Sequence, residues 1–306
     1  RRGHCGVREN RGGEYFTLVY GRVIMPQNDP IEKKPFNHFL PGTTVLSTAT
    51  AGCNLHCKFC QNWQLSQSRP EEVSAGYLPP EELVTLARQY GSPSVALTYS
   101  EPTVFYEYMH DTAKAARAAG LRCVVVSNGD INPEPAKKLI PHLAAYRIDL
   151  KAFSDDYYRD ICSGRLAPVL ATLKTVVEMG LWLEVINLIL PTLNDTKENV
   201  RALAGWVRDN LGDMVPIHFT RFHPMYRMLN LPPTPVRTLE ACYETAREAG
   251  IKYPYLGNVP GHPYTHTYCH QCQELLIERV GLWSMESRMR DGRCPKCGAV
   301  IPGVWS

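Results

Sequence analysis

Cys53-Asn54-Leu55-His56-Cys57-Lys58-Phe59-Cys60 governs how the rest of the chain is read. Three cysteines fall in the spacing C-x3-C-x2-C, just after a short apolar run (residues 45–51) and Gly52. Thiols this close rarely meet disulfide geometry, and three cannot all pair. They can close around a metal centre instead. Soft thiolates suit zinc or an iron–sulfur cluster. A four-iron cluster normally takes four cysteines, so three leave one iron with an open position. An open position on a metal is where a small molecule can be bound and activated. A zinc knuckle in which His56 supplies the fourth ligand is the other reading of these residues.

Outward from this stretch the pattern is regular. Strand-like runs at 45–49, 95–99, 121–126, 146–150, 182–190 and 217–222 alternate with helical segments at 79–90, 104–119, 134–144, 168–179, 196–211 and 238–249. Six such alternations predict βα units and a parallel sheet. Several strands are apolar nearly throughout, as a sheet covered on both faces requires. Polar groups recur at the strand ends: the three cysteines, then Tyr99-Ser100-Glu101-Pro102, Ser127-Asn128, Asp149-Leu150-Lys151, Asn187 within the fifth run, and Arg221-Phe222-His223. In a β/α barrel those ends converge on one mouth, where active sites lie. Each has a plainer reading: Glu101 as a helix cap, Asp149 and Lys151 as a strand-end pair, His223 as a loop histidine. Asn187 inside an apolar run must be paired or face a ligand, and a ligand is expected. Arg165, Arg221, Tyr226 and Arg227 are candidate contacts for an anionic group, though surface arginines are usually just solvated.

The chain of 306 residues divides into an N-terminal extension (1–43), an α/β barrel unit (44–257) and a Cys-rich tail (258–306). In the tail, Cys269-x2-Cys272 and Cys294-x2-Cys297 are separated by 21 residues, a zinc-ribbon spacing that an auxiliary iron–sulfur cluster could share. Net charge is only +3 and no basic cluster stands out, which argues against nucleic acid. The best apolar run, 181–190, carries Glu184 and Asn187, so no membrane span is expected. Seven of the eleven cysteines sit in metal-type spacings, which points to ligation in a reducing, cytoplasmic compartment. The chain opens on Arg1-Arg2-Gly3-His4-Cys5, without a signal peptide and without an initiator Met, so residues upstream are expected.

The cysteine stretch, with Phe59 just before its third cysteine, resembles the cluster motif of the radical S-adenosylmethionine (SAM) enzymes. That resemblance, which covers roughly residues 44–257, implies a partial (β/α)6 barrel of TIM type, to which the cysteine spacing adds a small zinc-ribbon-like tail. It implies a 4Fe–4S cluster on Cys53, Cys57 and Cys60 whose fourth iron is chelated by SAM. Tyr99-Ser100-Glu101-Pro102 is similar to the family's Gly-Gly-Glu-Pro stretch at the SAM amino group. Ser127 and Asn128 match the third-strand position near the SAM ribose and carboxylate. Asp149-Leu150-Lys151 and His223 resemble positions of the glycyl-radical-enzyme activases, with Lys151 at the SAM carboxylate and His223 near the ribose. The implied activity is reductive cleavage of SAM to a 5′-deoxyadenosyl radical that abstracts hydrogen from an undefined substrate. An electron donor such as ferredoxin or flavodoxin goes with it. Cys5-Gly6-Val7-Arg8, Phe59-Cys60-Gln61-Asn62-Trp63 and the Cys-rich tail together resemble the radical SAM member of the AmmeMemoRadiSam system, related to pyruvate formate-lyase activating enzymes. That subgroup implies Memo-like and AMMECR-like partners. A glycyl-radical activase acting on a protein glycine, and a non-catalytic iron–sulfur sensor or scaffold, are the alternatives.

Overall fold

A computed structural model describes residues 1–284 and 287–306. Its central sheet has eight strands: β1 (Gln27–Pro30), β2 (Thr44–Thr48), β3 (Ser94–Leu97), β4 (Arg122–Ser127), β5 (Ala145–Asp149), β6 (Trp182–Ile189), β7 (Ile217–Arg221) and β8 (Pro254–Gly257). They lie side by side in chain order; β2 to β8 are parallel, and β1 pairs antiparallel with β2 as one edge. The crossovers carry α1 (Pro80–Gln89), α2 (Tyr106–Ala118), α3 (Pro133–Leu139), α4 (Leu166–Glu178), α5 (Lys197–Leu211) and α6 (Val236–Glu248). The sheet is open, with β1 and β8 as its edges, which is consistent with a partial radical SAM barrel. The six sequence-predicted strands and six helices all form, with ends within two residues of those expected except at α3, which stops at Leu139 and runs on as a 3-10 turn to His142. Two strands were not foreseen. β1 holds Pro30 and Asp29, poor strand residues that an edge tolerates. β8 is only four residues long.

Strand alternation sorts side chains between two faces. Leu46, Val95, Val125, Tyr146, Ile148, Val185 and Phe219 pack under the helices as one buried core. The intervening residues on the other face, among them Arg147, Asp149, Ile186, Leu188, His218 and Thr220, line a cavity. α1 begins on Pro80 with Glu81 and Glu82 in its first turn, both favourable at a helix N-terminus. Thr196 caps α5 by accepting from the Asn199 N–H at 3.2 Å.

The tail adds two small antiparallel pairs, β9 (Thr267–Tyr268) with β10 (Leu275–Ile277) and β11 (Arg279–Val280) with β12 (Trp283–Ser284). Leu276, Ile277 and Ile301 share a core with Tyr253 and Tyr255 of the β8 region, so the tail sits on that edge of the sheet. The last residues cross to the N-terminal segment: the Leu40 N–H donates to the Val304 carbonyl (2.7 Å), and the Val304 N–H donates to that of His38 (2.8 Å). Buried Glu184 on β6 anchors the same segment, accepting from the N–H groups of Asn37 (2.9 Å) and His38 (2.8 Å) and from His218 Nε2 (2.7 Å). Among the described residues no helix is long and apolar enough to cross a membrane.

Candidate metal and cofactor site

The cysteine loop follows β2 and is held by backbone from across the sheet. The His56 and Lys58 N–H groups donate to the carbonyls of Cys162 (2.9 Å) and Ile161 (3.0 Å), in the segment after β5. Gly52, at φ +94°, is needed at the start of the loop: a Cβ there would lie 2.5 Å from Val7 Cγ1. Residues 5–7 therefore back the loop directly. Cys57 is buried; Cys53 and Cys60 are half-buried. Sulfur acceptors are already served. Leu55 N–H points at Cys53 Sγ (3.4 Å), with Asn128 Nδ2 at 3.8 Å, and Ser66 Oγ is 3.0 Å from Cys60 Sγ.

All three cysteines line a cavity of about 580 Å³ on the inner face of the sheet. Phe59, Tyr99, Ser100, Glu101, Ser127, Asn128, Asp149 and Lys151 line it too. The strand-end residues thus do converge. Glu101 is buried and accepts from Thr103 N–H (2.9 Å), Ser127 Oγ (2.7 Å) and Asn128 N–H (2.8 Å). It is both a cap and a brace between the ends of β3 and β4, and burial pushes its carboxyl up. Asn128 Nδ2 also donates to Asn54 Oδ1 (2.8 Å), tying β4 to the cysteine loop. Asp149 is shared: one oxygen lies 2.8 Å from an Arg147 nitrogen, the other 2.7 Å from Lys151 Nζ. Burial opposes the charge on Asp149, but the two cations outweigh it and hold the carboxyl below its usual range. Lys151 Nζ also stands 5.8 Å from the Phe59 ring centroid.

Tyr99 occupies a position where the resemblance has glycine, and its backbone keeps a glycine-type conformation at φ +64°. A non-glycine residue there costs on the order of 1 kcal/mol or more. Neighbours impose it: the Tyr99 hydroxyl donates to Asp29 (2.5 Å), Lys34 Nζ is 3.1 Å from that hydroxyl, and Asn62 Nδ2 donates to the Tyr99 carbonyl (2.8 Å).

Two expected residues lie elsewhere. Asn187 has the helix-side parity of Val185 and Ile189, and it does not line the cavity. Its Nδ2 donates to the carbonyls of Leu150 (2.8 Å) and Lys151 (2.9 Å), so it fastens the loop that carries Lys151. The ligand role expected for Asn187 gives way to that pairing. His223 is exposed in the loop after β7 and lies outside the lining; His218 and Thr220 are the β7 residues at the cavity. Arg165, Arg221, Tyr226 and Arg227 also lie outside it. Arg221 spends its Nε on the Thr234 carbonyl (2.8 Å). Sequence reading missed Glu32, Lys34, Arg147, His218 and Arg279, all of which line the cavity. For Arg147 a signal existed: charged residues alternate at 147, 149 and 151, the period of one strand face.

The two cysteine groups differ in spread. Cys269, Cys272, Cys294 and Cys297 bring their sulfurs within 4.8 Å of one another, and no other group of three or more potential ligands does so among the described residues. Cys269–Cys297 and Cys272–Cys294 are each 3.6 Å apart. A zinc–sulfur bond of about 2.3 Å gives tetrahedral edges of about 3.8 Å. The loop cysteines are too dispersed for one ion, and their all-thiolate set opening on a cavity suits a larger cluster.

The sequence profile of the radical SAM superfamily matches residues 47–207. An uncharacterized protein of Methanocaldococcus jannaschii is 44% identical over 302 residues, covering 98% of this chain and 90% of its own. The pyruvate formate-lyase-activating enzyme of Clostridium pasteurianum is 25% identical over 211 residues, covering 66% of this chain and 86% of that enzyme. Among solved structures, a radical SAM methyltransferase from Sphaerobacter thermophilus shares the fold with a TM-score of 0.56 at 18% identity, over 71% of this chain and 67% of that one.

Proposed function

This chain belongs to the radical SAM superfamily and has homologues of the pyruvate formate-lyase-activating type, and from that premise we propose that it is the radical SAM enzyme of an AmmeMemoRadiSam system. Cys53, Cys57 and Cys60 would hold a 4Fe–4S cluster with one iron left to SAM. One observation carries this reading: three cysteines, spread too widely for one ion, face a single cavity together with the ends of β3, β4 and β5. When bound and reduced, the cluster would supply the electron for reductive cleavage of SAM, and with it the hydrogen-abstracting chemistry. The chain's own groups prepare the site. Lys151, kept cationic by Asp149, would meet the SAM carboxylate. Ser100 Oγ, buried without a partner, and the Tyr99 backbone would meet its amino end. Phe59 and the apolar wall of Ile186 and Leu188 exclude water from the reacting carbon. The tail group supports one structural zinc, because its sulfur spacings suit a single tetrahedral ion. A cytoplasmic, reducing setting, a ferredoxin or flavodoxin donor, and Memo-like and AMMECR-like partners complete the proposal.

A glycyl-radical activase is the second reading, favoured by the Clostridium relative and by Asp149-Leu150-Lys151. Anaerobically reconstituted, dithionite-reduced protein is expected to release 5′-deoxyadenosine from SAM, and Cys57→Ala to fall to the protein-free background. A reducible cluster that binds SAM without releasing product would favour a sensor instead. Faster release on adding a glycyl-radical protein would favour the activase.

A further inference from the structure

Besides the residues set at the SAM end, the cavity is lined by two guanidiniums, those of Arg147 and Arg279. Arg147 lies two residues before Asp149 on β5, roughly 7 Å further from the mouth at about 3.3 Å per residue. Arg279 reaches the same cavity from β11 of the tail. Both are at least nine-tenths buried. Arg279 is held by neutral acceptors alone: the Thr265 carbonyl (2.9 Å), Thr267 Oγ1 (2.9 Å) and the Asn37 carbonyl (2.8 Å). No carboxylate lies within 4.0 Å of it among the described residues. Arg147 has only its share of Asp149, which Lys151 also claims. The Nε of each arginine is buried with no hydrogen-bond partner. A buried cation with unused donors is costly unless something anionic completes it.

The neighbouring acids do not fill that role. Glu184 is nearby, but its oxygens are taken by Asn37, His38, Trp182 and His218. Burial, aided by the charge of both arginines, lowers the His218 imidazole from its ordinary value against the opposing pull of Glu184. Glu32 accepts from Gly42 N–H (2.7 Å) and from Ser284 through one oxygen; its other oxygen is buried without a partner and Glu32 lines the cavity.

We propose that this part of the cavity is an oxyanion subsite, where Arg147 and Arg279 hold a carboxylate or phosphate of a small substrate and Glu32 accepts a hydrogen bond from a hydroxyl or amine on the same molecule. Planar guanidiniums pair with such anions through two parallel N–H donors, which also fixes orientation. The inference rests on the radical SAM reading for what happens to the bound molecule, and it favours a small substrate over a protein glycine, which carries no anion. It also makes the tail part of the site, since Arg279 comes from it.

The test is calorimetric titration of the full-length, cluster-loaded protein with malonate (the carboxylate arm) and with inorganic phosphate (the phosphoryl arm), each at saturating SAM. One saturable site is expected for at least one anion, and the tighter anion names the head group. Affinity should drop at least tenfold in R279Q and in R147Q, and R279K should recover part of the loss by restoring charge without the planar donor pair. Thermal melts of each variant separate lost binding from lost folding, and R279Q alone decides the matter if R147Q does not fold. Non-saturable binding of both anions to the wild type, undiminished binding in R279Q, or expulsion of the anion by SAM would overturn the subsite. Release of 5′-deoxyadenosine without added anion is scored separately. Its failure would sink the radical SAM reading and leave the anion result standing.

Discussion

In the tail, four sulfurs converge until Cys269–Cys297 and Cys272–Cys294 are 3.6 Å apart; in the loop after β2, three are held apart and turned towards open space. The same residue type in nearly the same C-x2-C spacing serves two ends. What differs is the backing. The tail pairs pack on short strands and a small core around Leu276 and Ile301, so the thiolates meet one another. The loop is pinned by Ile161, Cys162 and residues 5–7, which support it from behind and leave its sulfurs facing the cavity. A closed ligand set holds a fold together, whereas an incomplete one leaves room for a substrate or cofactor.

The sharpest way to break the comparison is to open the closed site. Cys272→Ser should lose one metal ion per chain. Structural thiolate sites contribute on the order of 10 kcal/mol of metal-binding free energy, so a Tm drop well beyond 10 °C is expected in calorimetry. The loop should still take up iron and sulfide. Equal loss of both metals would mean that the two groups are not independent. A middle-sized effect separates two asparagines of similar appearance. Asn128→Ala removes a donor from Cys53 and Asn54 and should weaken cluster retention about 10- to 100-fold, read as iron lost to a chelator. Asn187→Ala removes two hydrogen bonds to buried carbonyls and should cost about 1–3 kcal/mol of stability in denaturant unfolding. If Asn187→Ala instead spared stability and weakened SAM binding, its assignment to the loop behind Lys151 would fail.

An effect of similar size, set apart by its pH dependence, lies in the clasp behind Tyr99. Asp29 is buried; burial opposes its charge, but Lys33, Lys34 and the Tyr99 hydroxyl hold its carboxyl down at about 2. Its folded-state value lies below that of the unfolded chain, so its contribution is full above about pH 4 and fades as pH falls towards 2. Asp29→Asn should therefore cost about 2 kcal/mol at neutral pH, with the gap to wild type closing below pH 4 in paired unfolding curves. A gap that stays constant with pH would show that the clasp works by packing alone.

Much of this was legible in the chain itself. Periodicity placed the six central strands because apolar runs bounded by helical segments leave few other arrangements. The spacing of Cys53, Cys57 and Cys60 marked the mouth, and the tail pairs announced their own convergence. The errors share a cause. By composition Asn187 reads as a ligand, yet strand parity with Ile186 and Leu188 at the cavity puts it on the helix side. His223 lies in the loop beyond the strand residues that face inward, His218 and Thr220. Arg279 and Lys34 carried no signal at all, since a tail strand and an N-terminal turn meet the barrel only through contacts far apart in sequence.

That distance has a consequence for assembly. His38 Nδ1 meets the Pro302 carbonyl at 2.7 Å across 264 residues, and Arg279 closes the cavity from β11. On the ribosome the βα units can form as they emerge, because each strand pairs with the one made just before it. The cavity wall cannot be finished until nearly the whole chain has been synthesised. Loop closure of this span is slow relative to local pairing. A nascent chain therefore passes through a stage in which the cysteine loop is formed and still reachable from the unfinished side. The docking of the last residues is the step that completes the cavity wall.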